Sequence, residues 1–439
     1  MITARLSIMM FLQFFVWGAW FVTLGPYMAG LVFNVEDSDI NHVANAYSTA
    51  PIAAILSPLL LGIVADRFFP GQIVMGMLHI LGGVLLVIAP IVAGPEEPWL
   101  FVSLLLAHMV CYMPTLGLSS AVAFNAISQS GGDSAKQFPL IRVWGTVGWI
   151  VAGFAITYAA GFMHPASSYT SDEGTVLENA MALARQTDPT FFYIAGGAAV
   201  ALGLFSFTLP NTPPSMKGKP FDIGAALGLD ALKLLAKPAF AVFIAGSMLL
   251  CIPLAAYYQQ AATFAGDAGV SSVPIRMTYG QMSEVLFMLA MPLALKTFGI
   301  KWTLAIGMLA WVLRYGLFAG AWEAGAGEAA FWLVIGGIVL HGICYDFFFV
   351  TGQIYTEQTA PPEIRSQAQG FLVLVTQGVG MLIGAQVVGQ IVTRTTADGV
   401  TDWTTVWAIP AVFALVILVL FVVLFRDKDA ASASQIDEA

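Results

Sequence analysis

The sequence predicts an all-α membrane protein with twelve transmembrane helices in two six-helix halves. Of its 439 residues, 58% are hydrophobic and only 10% are charged, and the mean hydropathy is +0.82. A soluble domain does not need so much apolar surface for its core. A helix that crosses the bilayer needs about 20 mostly apolar residues, and twelve such runs recur along the chain. The predicted spans are residues 7–31, 42–64, 73–94, 99–125, 138–162, 190–209, 238–264, 273–295, 303–322, 331–356, 366–392 and 404–425.

The distribution of basic residues predicts that both termini are cytoplasmic. The first run follows Arg5 as a secretory signal would, but its apolar stretch is longer than a signal's and eleven spans follow, so we interpret it as a retained helix. With the N-terminus inside, twelve of the 17 Lys and Arg residues lie on the cytoplasmic side. The acidic stretches NVEDSD, GPEEPW and 163–189 then face the opposite side.

The longest cytoplasmic connection, residues 210–239, lies between spans six and seven. It divides the chain into an N-terminal half at 1–209, a linker at 210–237, a C-terminal half at 238–425 and a polar tail at 426–439 that we expect to be disordered. Helical spacing within the linker predicts a short amphipathic helix on the inner leaflet, and a plain linker is the alternative. The apolar positions are Ile223, Ala226, Leu227, Ala231, Leu234 and Leu235, with Lys233 and Lys237 beside them.

Six plus six spans joined by a basic linker resemble the major facilitator superfamily, whose members bind solutes near the membrane midplane. A second sign follows span two, where Gly62, Asp66 and Arg67 in LLGIVADRF resemble the G-x-x-x-D-R element of that superfamily. The glycine lets helices approach, and the acid and arginine can latch one conformation by pairing with a helix end. An ordinary turn with a positive-inside arginine is the alternative.

Several chemistries leave no signature in the sequence. There is no G-x-x-x-x-G-K-[ST] loop for ATP, no H-E-x-x-H zinc motif and no G-x-S-x-G nucleophile. The three cysteines, at 111, 251 and 344, form no spaced framework. We therefore expect no enzyme activity, no metal, no cofactor and no nucleic-acid partner, and an ion gradient as the source of energy.

Besides Arg276, near the outer start of span eight, four charged residues fall clearly inside predicted spans: Arg142, Glu284, Arg314 and Asp346. A charge is costly in hydrocarbon, so each should face a cavity or a partner. One interpretation is a binding site and a proton pathway. The alternative is a static salt bridge that holds helices together, which is a stronger possibility for Arg314 than for the others.

Polar and aromatic residues stand three or four positions from these charges, where helical spacing places them on one face. A flat solute rich in hydroxyls would need such rings and amides. Span one repeats the mixture with Gln13, Trp17 and Trp20, and for the two tryptophans helix packing is an equal alternative. The neighbours of the charges are Thr146 and Trp149 beyond Arg142, Gln281 before Glu284, and His341 and Tyr345 before Asp346.

Long stretches of the chain closely resemble the bacterial nucleoside:proton symporter family within the major facilitator superfamily. They are FLQFFVWGAWFVTLGPYM, LLGIVADRF, CYMPTLGLSSAVAFNAI, FPLIRVWGTVGWI, GQMSEVLFM and GICYDFFFVTGQIYTEQTAPPEIRSQAQGF. The resemblance implies a cell-membrane protein, expected to work as a monomer, that takes up nucleosides with protons and binds them between its halves. It marks Arg142, Thr146, Gln281 and Glu284 as substrate contacts and Asp346 as the proton-coupling acid, with Glu284 as a second candidate for coupling.

The chain departs from the family pattern at several of these positions. Trp149 and His341 stand where the family has phenylalanine and tyrosine, and Tyr345 stands where it has phenylalanine. In span seven, Ala255 and Tyr258 replace a glutamine and an asparagine. Gln259 and Gln260 would substitute for them only if Pro253 shifted or unwound the helix.

Other functions therefore stay open. The chain could carry another polar metabolite, such as a sugar or a peptidoglycan fragment, or work as an antiporter. A membrane sensor that moves no solute is a weaker alternative, because the short tail offers no output module.

Overall fold

The computed structural model of the protein describes residues 2–33, 40–60, 67–170, 176–214, 224, 229–325 and 327–426. Within these residues every predicted span is helical, which confirms the predicted fold class. Ten helical segments of the described chain are long and apolar enough to cross a membrane, and one of them, Val273–Glu323, contains two predicted spans. The chain forms two compact units, Met1–Phe221 with Ser272–Thr278, and Asp222–Ser271 with Tyr279–Ala439.

In the first unit, span one packs against span five and span three against span six. Span one is interrupted by a turn at 21–23, after which a short helix carries Pro26 in its first turn, where proline is tolerated. The helices are Ile2–Trp20, Leu24–Gly30, His42–Leu60, Gly71–Val92, Pro98–Gln129, Ser134–Met163, Glu178–Thr187 and Thr190–Ser206, with a 3₁₀ turn at Ala166–Tyr169.

The connection between spans five and six is tied to its own unit by side chains. His164 Nε2 lies 2.6 Å from Asp188 Oδ2, and Arg185 donates from Nε and Nη2 to the His164 carbonyl. Gln186 Nε2 donates to the Pro26 carbonyl at 2.6 Å. These bonds fix the connection against the end of span one.

The described part of the second unit departs from straight α-helix at several points. Gly299 separates spans eight and nine with φ of 69°, a conformation that favours glycine. Spans ten and eleven each contain a π-helical segment, at Asp346–Val350 and Leu374–Gly380. Apart from the linker, the other elements are Pro238–Asp267, Glu328–Val339, His341–Tyr345, Thr351–Thr359, the 3₁₀ turn Pro362–Ile364, Arg365–Val373, Met381–Thr395, the two-stranded pair Thr396–Ala397 and Val400–Thr401, and Trp403–Leu424.

The linker is described only in part. Residues Leu229–Ala236 form a 3₁₀ helix in which Ala231 and Leu234 are buried against neighbouring helices of the second unit. Lys237 Nζ donates to the Thr359 carbonyl at 3.1 Å. The apolar side of this segment is thus covered by protein, while Ile223, Ala226 and Leu227 lie outside the described residues.

The G-x-x-x-D-R element also falls largely outside the described residues. Gly62 and Asp66 are not described, and Arg67 is partly buried in the turn that follows. The conformational latch stays a prediction.

Candidate functional site

In the first unit, the predicted site residues Arg142 and Trp149 come together with side chains of span one. The Arg142 guanidinium lies 4.0 Å from the centre of the Phe14 ring. Trp149 meets Trp17 edge to face, with 5.6 Å between ring centres and 70° between planes. Arg142, Thr146 and Trp149 are all partly buried on one helix, so they form a cationic and aromatic face within this unit.

Gln13 does not contribute to that face. Its side chain is fully buried, its Nε2 donates to Thr115 Oγ1 at 2.8 Å, and its Oε1 accepts from His79 Nε2 at 2.8 Å. Because both ends of the amide are satisfied by protein, Gln13 joins helices within the unit instead of facing a solute. The packing alternative holds for Trp20, which is fully buried against His108.

The network around Gln13 contains buried polar residues that sequence reasoning missed. Tyr112 donates its hydroxyl to the Gln13 carbonyl at 2.6 Å, and His108 Nδ1 donates to the Gly82 carbonyl at 2.9 Å. The only signal in the sequence was a histidine in each of two apolar runs, MLHILGG and LLAHMVCY. The network joins spans one, three and four of the first unit.

In the second unit, spans eight and ten cross at very short range. A Cβ on Gly342 would lie 2.6 Å from the Ser283 carbonyl carbon, and the Gly342 N–H donates to Ser283 Oγ at 3.0 Å. The contact places Gln281 and Glu284 of span eight beside the start of the segment that carries His341 and Asp346. Glu284 is close enough to Asp346 to interact with it electrostatically.

Aromatic rings extend this arrangement to span seven. His341 stacks on Tyr257, with 5.2 Å between ring centres and 19° between planes. His341 also meets Tyr345 at 5.7 Å. Spans seven, eight and ten therefore bring the predicted residues Gln281, Glu284, His341 and Tyr345 into one region.

Arg314 lies fully buried beside the same aromatic rings. Its guanidinium carbon is 3.8 Å from the centre of the Tyr257 ring, and its Nε donates to the Gly337 carbonyl at 2.9 Å. Among the described residues no carboxylate lies within ion-pair distance of Arg314. The salt-bridge interpretation of Arg314 is therefore wrong here, and a π face and backbone carbonyls stabilise the charge instead.

Asp346 is the first residue of the π-helical segment in span ten and is fully buried. Neither of its carboxylate oxygens has a hydrogen-bond partner among the described protein groups. Burial without a partner is costly for an ionised carboxylate. Pairing of Asp346 with Arg314, one of the structural alternatives for this residue, does not occur among the described residues.

Span seven is not unwound at Pro253, which was the condition for Gln259 and Gln260 to replace the missing amides. Its helix Pro238–Asp267 continues through Pro253, and Gln259 Nε2 donates to the Ala385 carbonyl of span eleven at 3.0 Å. Ala255 is buried where Gly384 packs against it. The Gln259 Oε1 has no hydrogen-bond partner among the described protein groups, and Gln260 is buried on the same helix. Over the described residues no three His, Cys, Asp or Glu side chains gather as metal ligands would.

A protein-family model described as nucleoside H⁺ symporter matches residues 1–430. The chain belongs to this family. The match confirms the resemblance drawn from the sequence and makes the chain a member of a transporter family.

Three Escherichia coli K12 relatives of this symporter align over nearly their whole length. Nucleoside permease NupG is 32% identical over 97% of this chain and 96% of its own. Xanthosine permease is 33% identical over 96% of this chain and 95% of its own. A protein named YegT is 38% identical over 97% of this chain and 94% of its own.

Solved structures agree with the predicted major facilitator fold of this symporter. The crystal structure of nucleoside transporter NupG superposes with a TM-score of 0.80 at 31% identity, covering 97% of this chain and all of the other. The POT family transporter PepTSo, at 13% identity and a TM-score of 0.69 over 99% of this chain and 98% of its own, shares the fold.

Proposed function

We propose that this symporter takes up nucleosides across the cell membrane together with protons, by alternating access. Family membership supports the class of activity, and the relatives named nucleoside permease and xanthosine permease support the class of substrate. The site residues and their roles are proposed from the geometry within each unit.

The observation that carries the proposal is a concentration of unpartnered buried polar atoms in spans seven, nine and ten. None of these atoms has a hydrogen-bond partner among the described protein groups: the Tyr257 hydroxyl, Arg314 Nη1, His341 Nδ1 and both oxygens of Asp346, together with Ser247 Oγ, Gln259 Oε1, Trp311 Nε1 and Thr351 Oγ1. Buried polar groups in native proteins are nearly always satisfied, and exceptions occur where function needs them. A site that binds protons and a polar solute in turn would account for this cluster.

Asp346 is proposed as the residue that carries the transported proton. Buried without a hydrogen-bond partner among the described protein groups, the side chain costs less as the neutral acid than as the carboxylate. A conformation that opens it to water on the cytoplasmic side would release the proton. Glu284, which interacts electrostatically with Asp346, is the second acid available to the same step.

The remaining polar and aromatic residues are proposed to bind the nucleoside. Rings of Trp149, His341 and Tyr345 offer planes on which a base can stack. Hydroxyl groups of a ribose match the hydrogen-bonding capacity of Arg142, Thr146, Gln281 and Glu284. We also propose a monomer with cytoplasmic termini and the latch of Gly62, Asp66 and Arg67.

Replacing Asp346 with Asn tests the coupling step, because Asn resembles the protonated acid but cannot exchange a proton. In proteoliposomes, we expect Asp346→Asn to exchange labelled nucleoside across the membrane yet fail to concentrate it under an inward proton gradient. Asp267→Asn is the matched control, since Asp267 accepts a bond from Trp403 Nε1 at 3.0 Å that an amide oxygen can also accept. Accumulation by Asp346→Asn would remove Asp346 from the coupling step and point to Glu284.

The substrate class is tested separately with the unmodified protein. A panel of labelled nucleosides, sugars and peptidoglycan fragments is offered to proteoliposomes with an inward or an outward proton gradient. We expect accumulation of nucleosides under the inward gradient. Selective transport of a sugar or a peptidoglycan fragment, or accumulation driven by the outward gradient, would contradict the proposal.

A further inference from the structure

A groove lined only by apolar side chains lies between spans nine and twelve of the second unit. Its volume is about 310 Å³. The side chains of Trp302, Leu309, Val419 and Val423 are exposed, so the groove is open to the surroundings of the spans. The groove is lined by Trp302, Ala305, Ile306, Leu309, Leu418, Val419, Val422 and Val423.

One end of the groove carries a cation. Lys301 Nζ donates to the carbonyl of the lining residue Val422 at 2.8 Å, and it lies 5.8 Å from the ring centre of Trp302. No described carboxylate is within ion-pair distance of Lys301. The exposed Arg426 lies two residues beyond Leu424, where the helix of span twelve ends. The mouth of the groove is therefore basic. The Lys301 ammonium group donates one hydrogen bond to Val422 and has further N–H donors available for an acceptor.

The dimensions of the groove fit a lipid chain. From Trp302 to Leu309 a helix rises about 10 Å, while one leaflet of hydrocarbon is about 15 Å deep, half of the bilayer core. The groove starts at Lys301 and Trp302, residue types that are common at the membrane interface. Because it runs only about 10 Å inward from there, it stays within one leaflet. A second transmembrane helix, about 10 Å wide, would not enter a cavity of this size.

We propose that this groove binds an anionic phospholipid. One acyl chain lies along the apolar lining, and the headgroup phosphate accepts hydrogen bonds from Lys301, with Arg426 adding positive charge. Basic pockets at the ends of transmembrane helices recognise such headgroups by the same chemistry. The zwitterionic phosphatidylethanolamine, whose own ammonium neutralises its phosphate, should bind more weakly.

Native mass spectrometry of the delipidated protein titrated with phosphatidylglycerol or phosphatidylethanolamine tests the proposal. We expect wild type to prefer phosphatidylglycerol and Lys301→Gln to bind it about fivefold more weakly, which corresponds to about 1 kcal/mol per lysine near an anionic lipid. Lys301→Arg should retain the preference. Lys136→Gln is the matched control, since its side chain is 85% exposed in the other unit.

Filling the groove provides a test that does not depend on Lys301. Val419→Trp changes an exposed side chain and should reduce binding of both lipids while leaving the melting temperature unchanged. Equal phosphatidylglycerol binding by wild type, Lys301→Gln and Val419→Trp would overturn the proposal. A lipid-independent dimer that Val419→Trp disrupts would also overturn it, because the groove would then belong to a second copy of the chain.

Discussion

Replacing Gly148 with Ala should separate spans one and five, the two helices that form the site face of the first unit. A Cβ at position 148 would lie 2.1 Å from the Phe11 carbonyl oxygen and 2.9 Å from its carbonyl carbon. Both are backbone atoms, so no side-chain rotation relieves the overlap. The two helices must move apart until the contact reaches at least 3.0 Å, a shift of about 1 Å.

The cost follows from overpacking. Forcing extra volume into a packed contact costs about 1–3 kcal/mol, and a clash with backbone belongs at the upper end of that range. The better helix propensity of Ala returns about 0.5–1 kcal/mol. The net destabilisation is about 2 kcal/mol, or about 4 °C in melting temperature for a unit of roughly 220 residues. Because Trp149 is the next residue, substrate affinity should fall as well.

A thermal unfolding scan of the purified protein in detergent measures the first effect, and substrate binding at fixed protein concentration measures the second. Gly197→Ala is the control, since nothing lies within 4 Å of a Cβ at that position in span six. We expect it to keep or slightly raise the melting temperature. If Gly148→Ala and Gly197→Ala have the same melting temperature and the same substrate affinity, the close contact with Phe11 does not hold this face in place.

Three further outcomes are expected. Gln281→Ala should raise the apparent KM for the transported nucleoside about two- to tenfold by removing a hydrogen bond of about 0.5–1.5 kcal/mol, and an unchanged KM would exclude Gln281 from the site. Hydrogen bonds from the hydroxyl and backbone N–H of Thr405 lower the pKa of Asp402, the cap of span twelve. The cap is fully formed above the unfolded pKa of about 3.9 and is lost as pH falls through the lower folded value. Asp402→Ala should thus cost about 1 kcal/mol at pH 6 and progressively less as pH falls below about 3.9, and a difference in melting temperature that does not change with pH would contradict this. An impermeant thiol reagent added outside cells should label Ser168→Cys but not Lys233→Cys, because the proposed topology places position 168 outside and position 233 in the cytoplasm. The native cysteines are buried and should add little background labelling. Labelling of Lys233→Cys but not Ser168→Cys would contradict the proposed topology.

The spans could be predicted because bilayer thickness alone fixes their length and composition. Residues on one helix could also be grouped correctly, since spacing of three or four positions places Arg142 with Trp149 and Gln281 with Glu284. These properties depend only on local sequence.

Partners across helices could not be predicted in the same way. Gln13 looked like a substrate-reading amide, but His79 and Thr115, distant in sequence, occupy both of its ends. Arg314 looked like half of a salt bridge, but the Tyr257 ring and carbonyls of span ten receive it. In each case the partner is set by how helices rotate against each other, and an apolar run carries little information about that rotation.

The π-helical segment at Asp346–Val350 makes span ten sensitive to the insertion or deletion of a single residue. A π turn accommodates about one residue more than an α turn, and one residue corresponds to about 100° of rotation around the helix. Deleting a residue between Phe347 and Phe349 would restore the α-helix and turn the Thr351–Thr359 segment by that angle relative to Asp346. A change of one residue in length at this point would therefore alter which side chains accompany Asp346 without substituting any of them, and sequences aligned through this segment without a gap can pair residues that face different directions.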